Sequence, residues 1–277
     1  MAITAQDVNK LRQMTGAGMM DCKKALTEAN GDFEAAIDIL RKKGQKVSAA
    51  RSDKEASEGS VFVKTNEDST EGVIVALNCE TDFVAKNEEF QNLGNALVEK
   101  AFSEKPANVE ELLTISVDGR PLKDHITDLI GKIGEKVEVS AYERLSGDKV
   151  VPYIHYGSKL GVLVSLKGVN GADVTEVGKD VAMQIAAMKP IAVDKDDVDT
   201  EVVNREIEIG KDQARAEGKP EAMLEKIALG KLNKFYKENT LLNQQFVKDN
   251  SKTIAQVLSE VTKGLTVKEF KRIAIGS

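Results

Sequence analysis

Few residues of this 277-residue chain are spaced so that they could carry out chemistry. The two histidines, His125 and His155, fall in different expected elements, and with Cys22 and Cys79 they form no cluster of zinc-site spacing. His155 lies in the run Tyr153-Ile154-His155-Tyr156-Gly157, where a surface-facing or hydrogen-bonded strand histidine is the simpler reading. Gly-Lys pairs such as Gly131-Lys132 and Gly178-Lys179 lack the upstream glycine and following Ser or Thr that a phosphate loop needs. Gly16-Ala17-Gly18 resembles part of a dinucleotide loop, but no strand leads into it and the third glycine is missing, so it reads as a tight turn between helices. Neither a Gly-x-Ser-x-Gly elbow nor a His-Glu-x-x-His helix occurs. The acids are many but scattered, as on a solvated surface. No catalytic group, metal or cofactor is expected, and the chain reads as a binding protein rather than an enzyme.

One stretch does stand out: Asn78-Cys79-Glu80-Thr81-Asp82-Phe83-Val84-Ala85-Lys86-Asn87. It follows the short β-branched run Val73-Ile74-Val75-Ala76-Leu77, bounded by Gly72, which reads as a buried strand. Residues 88–102 read as a helix. Asp82 and Phe83 therefore stand at a strand-to-helix joint. Phe83 has two readings there: a core side chain closing the turn, or an exposed anchor for a partner. With eight Phe and no Trp in the chain, an exposed one needs a reason.

The elements around that joint follow from periodicity. Thr4 can cap a first helix with Val8 and Leu11 on one face, and Gly16-Ala17-Gly18 breaks it. Met19, Cys22 and Leu26 share a face of a second helix ended by Asn30-Gly31. Asp32 caps a third, with Ala36, Ile37 and Leu40 apolar, expected to stop before Gly44. This unit, 1–44, resembles a ubiquitin-associated (UBA) domain, and Met19 and Met20 beside its first loop would suit an adaptable contact surface. Residues 45–59 read as a linker, extended or partly helical. The core reads as one unit used twice, in subdomains 60–140 and 141–265: a hairpin of strands 60–64 and 73–77 with helix 88–102, then strands 150–156 and 162–166 with helix 175–188. A hairpin alone is marginal, so each needs its helix. Between the copies, 122–133 reads as a helix and 136–145 as a strand.

Residues 197–236 read as two antiparallel helices with a coiled-coil-like seam. Val203, Ile207, Gly210 and Ala214 would form one side, and Met223, Ile227 and Gly230 the other. Gly218 and Pro220 supply the turn, and crowded charges on the outer faces suggest that the pair projects. A C-terminal module, 266–277, is expected to be a helix over 267–273 with Phe270 as its apolar handle. The fold class is α+β.

Composition narrows the function. A net charge of −6 and pI near 5.3 argue against a primary nucleic-acid or anionic-membrane role. No run approaches ~18 consecutive apolar residues, so no membrane span is expected. Met1-Ala2-Ile3-Thr4 has neither the basic start nor the apolar core of a secretory signal. Two cysteines cannot make a disulfide framework, which points to a reducing cytoplasm.

Three groups of residues carry a resemblance to a known family. Leu11-Arg12 with Thr15-Gly16-Ala17-Gly18-Met19-Met20-Asp21-Cys22-Lys23-Lys24-Ala25-Leu26 is similar to the opening signature of bacterial elongation factor Ts. The 78–87 stretch is similar to that family's central signature. Phe235-Tyr236-Lys237-Glu238, Leu241-Leu242-Asn243-Gln244, Phe246-Val247-Lys248-Asp249 and Ser251-Lys252-Thr253 also match it, and the likeness spans the whole chain in the family's longer form. The resemblance implies a guanine nucleotide exchange factor for elongation factor Tu, with a UBA-like domain, a duplicated core, a coiled-coil hairpin and a C-terminal module. It implies that Asp82 and Phe83, flanked by Thr81 and Val84, intrude between helices of the G domain of Tu near its magnesium site. Ile133-Gly134 and His155 fall at further contact positions, His155 more loosely because Tyr156 separates it from Gly157. The bundle, with Leu11, Arg12, Met19 and Met20, would grip the same G domain. A homodimer or a 2:2 complex with Tu stays open. The competing reading is an adaptor that binds protein chains through the bundle alone.

Overall fold

The structure is a computed structural model that describes residues 3–276. Met1, Ala2 and Ser277 lie outside the described residues, and with Met1 and Ala2 the reading of the first residues as running straight into a helix.

Three helices open the chain: α1 (Ala5–Thr15), α2 (Met19–Glu28) and α3 (Phe33–Ala50). Thr4 starts α1 through a reciprocal cap, accepting from the Asp7 N–H at 3.1 Å while Asp7 accepts from the Thr4 N–H at 3.0 Å. Val8, Leu11, Cys22, Ala25, Leu26 and Ala36 form their core. The third helix does not stop before Gly44 but runs to Ala50, so the first part of the 45–59 stretch is the helical form of the two expected for it. Gly44 is there for contact rather than termination. A Cβ on it would lie 3.1 Å from the Thr127 carbonyl oxygen, and one on Gly131 would lie 2.8 Å from the Gly44 Cα. The rear half of α3 therefore crosses the core helix that carries Thr127 and Gly131.

The first sheet follows. β1 (Glu58–Thr65) and β2 (Glu71–Cys79) form an antiparallel hairpin, with Glu58 opposite Cys79. After the one-turn α4 (Asp82–Ala85) come α5 (Glu88–Glu104) and α6 (Val109–Thr114). The small hairpin β3 (Ser116–Val117) and β4 (Arg120–Pro121) leads into α7 (Leu122–Ile133). β5 (Val137–Ser146) then pairs with the free side of β2, so the order is β1-β2-β5. It runs across the division expected at 140/141. Phe62, Val75, Leu77, Phe90, Leu97 and Ile126 fill the layer between this sheet and its helices.

The second copy repeats the plan. β6 (Lys149–Ile154) and β7 (Leu160–Lys167) are followed by α8 (Thr175–Met188). The helix pair α9 (Thr200–Ala216) and α10 (Glu221–Asn239) comes next, then β8 (Gln245–Phe246), β9 (Asp249–Thr253) and α11 (Ile254–Val261). The chain closes with β10 (Thr266–Ala274), paired with β7 in the order β10-β7-β6. The expected C-terminal helix is thus a strand. A bulge between Val267 and Glu269 resets the alternation, so that Val267 and Phe270, three residues apart, both join the second core. That spacing imitates a helix. In each copy, then, a hairpin, a helix and a third strand beside the hairpin's second strand make the same sheet. Val61, Ile74, Ala76, Leu145, Val150, Leu163 and Ile275 pack where the two sheets meet.

In the α9–α10 pair the buried residues are Gly210 and Ala214 on α9 and Leu224, Ala228 and Leu232 on α10. A Cβ on Gly210 would sit 3.1 Å from the Ala228 Cα, so the close approach expected of Gly210 is real. On α10 the seam is shifted toward the C-terminus from the expected line, by one position at Leu224 and Ala228 and by two at Leu232. Met223 is 48% exposed, and Gly230 faces open space.

Candidate functional site

The corner between β2 and α5 is built by hydrogen bonds, most of them between near neighbours in sequence. β2 is the central strand of its sheet and ends in the buried Asn78 and Cys79. The Cys79 thiol donates to the Thr81 carbonyl at 3.2 Å. Burial, helped by Glu135 and Glu58, pushes its pKa up to about 12, so it is an inert core group. Thr81, in extended backbone, caps α4 by accepting from the Val84 N–H at 3.4 Å. Asn87 then caps α5, accepting from Glu89 N–H at 2.8 Å. Gln91 pins the turn between them by donating to the Ala85 carbonyl at 2.6 Å and to Ser60 Oγ at 3.0 Å.

A single helical turn has an inner and an outer side. Val84 and Ala85 turn inward and are buried. Phe83 turns outward and is 82% exposed. This separates the two readings of Phe83: it is no part of the core. Asp82, half-exposed, pairs with Lys86 at 2.7 Å, and that hydrogen bond holds its carboxyl below the ordinary Asp pKa.

The corner is also propped from outside. Glu135 accepts from the Thr81 N–H at 3.1 Å and from the Thr81 hydroxyl at 2.9 Å. In return Glu80 accepts from the Lys136 N–H at 2.6 Å. Arg51, at the end of α3, donates to the Gly134 carbonyl at 2.8 Å and to Glu80 at 3.4 Å. Gly134 ends α7 with φ 78°, a left-handed backbone suited to glycine. Ile133-Gly134 therefore lies beside Asp82-Phe83, with Ile133 half-buried against the first core.

The bundle's first loop reaches the same place. A Cβ on Gly16 would sit 2.8 Å from Cε of Lys132, in the last turn of α7, and Lys132 pairs with Glu89, in the first turn of α5, at 3.0 Å. Next to that loop Arg12 is exposed, Met19 is 47% exposed and Met20 is 63% exposed. Leu11 is fully buried and Val84 nearly so. These two candidate contact residues shape the bundle and the corner instead of offering surface. The cleft between bundle and core, about 690 Å³, holds its charges mostly in pairs, Asp21 with Lys43 and Arg120 with Asp128 among them.

His155 is not in a strand. β6 stops at Ile154, and His155 begins the tip of the β6–β7 hairpin, exposed, with Nδ1 2.8 Å from the Tyr153 hydroxyl. Next to it Tyr156 is 99% exposed, an aromatic that sequence reasoning treated only as spacing. The tip adjoins the base of the corner. The Val61 N–H donates to the Ser158 carbonyl at 2.7 Å, and Lys159 pairs with Glu58, the strand partner of Cys79, at 2.5 Å. His125 is accounted for structurally, with Nε2 3.0 Å from the Val117 carbonyl. Among the described residues no group of three or more His, Cys, Asp or Glu could hold a metal ion. No helix among them is long and apolar enough to cross a membrane. The arrangement suits recognition: an exposed aromatic and a carboxylate on a fixed corner, flanked by a methionine-bearing helix start and a hairpin tip.

Comparison with known proteins points the same way. Residues 80–277 match the sequence model of a family described as Elongation factor TS. The protein called Elongation factor Ts of Cytophaga hutchinsonii is 64% identical over 274 residues, covering 99% of each chain. Those of Amoebophilus asiaticus and Porphyromonas gingivalis are 57% and 51% identical, each over the full length of both chains.

Proposed function

This chain belongs to the elongation factor Ts family of translation elongation factors, and we propose that it binds elongation factor Tu in its GDP form and promotes GDP release with the Asp82–Phe83 corner. The observation that carries the reading is the 82% exposure of Phe83 on a corner held by hydrogen bonds at Thr81 before it and at Ala85 after it. A large aromatic left in water on a fixed support is what an interface anchor looks like. Seated between helices of the G domain of Tu, it displaces packed elements as units, because dense interiors do not yield smoothly. Asp82 exchanges Lys86 for a donor on the partner. Disturbing the magnesium site leaves phosphate charge under-neutralised, so GDP leaves. GTP then rebinds and expels the factor. The exposed Met19, Met20 and Arg12 supply the second grip, and the turn at His155 a third contact.

The factor works by linkage: whatever factor it takes off nucleotide affinity, the nucleotide takes off its own. No covalent chemistry and no cofactor of its own are needed, and the expected compartment is the cytoplasm. An adaptor acting through the bundle alone would leave Phe83 exposed with no role. The test is release of fluorescent GDP from Tu with and without the chain, and with Phe83→Ala. Acceleration that depends on Phe83 supports the reading. No acceleration by the intact chain overturns it.

A further inference from the structure

The side that α4 presents to a partner cannot hold itself. It is one turn of four residues, shorter than the length at which a helix offsets its own nucleation cost. Phe83 packs on little, and the Asp82 carboxylate pairs with the exposed Lys86. Val84 and Ala85 seat its inner side and Gln91 holds its far end, while its near end is fixed through Glu80 and Thr81, immediately before it. There two loops exchange carboxylates: Glu80 takes the N–H of Lys136, and Glu135 takes the N–H and hydroxyl of Thr81. Arg51 closes the ring. Its planar guanidinium reaches the Gly134 carbonyl through Nε and the Glu80 carboxylate through Nη1. The Glu80 side chain is only 16% exposed and that of Arg51 34%, so this pair is better shielded from water than an ordinary surface pair. Arg51 also ends α3, which begins in the bundle and packs along α7.

Resting on the exchange reading, we propose that Arg51, with Glu80 and Glu135, is a positioning strut that preorganises the Asp82–Phe83 corner and fixes it relative to the N-terminal bundle. A partner that engages both then meets two surfaces already in register. Without the strut, binding has to order the corner first, and that cost appears in affinity.

The test uses the full chain carrying Arg51→Ala, Arg51→Lys, Phe83→Ala and the Arg51→Ala/Phe83→Ala double variant. Arg51→Ala is expected to lower kcat/KM for GDP release from Tu by about 10-fold, the ordering cost of a few side chains. Arg51→Lys, which keeps the charge facing Glu80 but not the two-acceptor fork, should recover part of the loss. In the Phe83→Ala background the Arg51→Ala effect should shrink to well below its size in the intact chain, because Phe83 is the main anchor that Arg51 positions. Amide hydrogen exchange at Thr81 and Lys136 should speed up in Arg51→Ala while the β2 amides stay protected. If Arg51→Ala does not fold, Glu80→Gln takes its place, with the same expectations at smaller size. Additive effects of Arg51 and Phe83, or unchanged amide protection at Thr81 and Lys136, would overturn the strut. If the intact chain does not release GDP at all, the exchange reading fails, and amide protection decides the strut alone.

Discussion

Replacing Phe83 with alanine makes stability and function move in opposite directions. A phenylalanine in the core costs ~3–5 kcal/mol when cut to alanine, from lost transfer energy and the cavity left behind. Phe83 is 82% exposed, so less than a fifth of it is covered, and the scaled loss is ~1 kcal/mol or less. For a chain of this size that moves the melting temperature by under about 3 °C. α4 should survive, because its cap is Thr81 and its inward residues are Val84 and Ala85. Bound to Tu, the same ring fills a pocket, and losing such an anchor costs ~2 kcal/mol or more, roughly 30-fold in affinity. Asp82→Ala should weaken exchange less, since it removes a polar contact and not the wedge. The assay is a thermal melt and GDP-release kinetics on one preparation of Phe83→Ala. A drop in melting temperature above ~8 °C with near-normal release per folded molecule would refute the reasoning.

Three other expectations follow from the same geometry. Ala214 is fully buried in the α9–α10 seam, so Ala214→Asp places an unpaired charge there and should cost ~3 kcal/mol or more, read as lost helical circular dichroism, with GDP release less affected; a wild-type spectrum would contradict the seam. Because Lys86 depresses the Asp82 pKa, the pair's contribution is present above the ordinary Asp value and fades as pH falls through the lowered one. The Asp82 carboxyl should titrate below its ordinary value by NMR and return toward it in Lys86→Ala. Cys79, with its pKa pushed to about 12, should resist thiol reagents at pH 8 in the native protein and react only on unfolding; rapid native labelling at Cys79 would count against the buried corner base.

Local signals made much of this fold legible. The strand-to-helix joint at Asp82, the helix over 122–133 and the helix over 175–188, which Pro190 follows, all match the elements expected from the residue pattern. Errors arose where tertiary contact overrode a local sign. Gly44 looked like a helix end and is a helix crossing, and the bulge in β10 lent a strand a helical spacing. On α10, several apolar positions lie close together, so periodicity alone put Met223 in the seam that Leu224 occupies. The pieces β3, β4, β8 and β9 are two to five residues long, too short to show a period. At the site, the local pattern left Phe83 open, since an aromatic at a corner packs as easily as it projects; the resemblance of 78–87 to the family's central signature is what led to the expectation of exposure, and Phe83 is 82% exposed. The strut was invisible because its bonds join residues 54 and 83 positions apart, which no short motif encodes. Tyr156 carried a signal that went unused, an aromatic beside a glycine turn.

On the exchange reading, this chain and GDP oppose each other on Tu. The direct measurement is the dissociation constant of the chain for Tu, by calorimetry, once with nucleotide-free Tu and once with Tu saturated by GDP, beside the GDP affinity of Tu with and without the chain. The account predicts that GDP weakens binding of the chain by the same factor as the chain weakens binding of GDP, and that Phe83→Ala shrinks both factors together. Equal affinity of the chain for the empty and GDP-bound forms would contradict it.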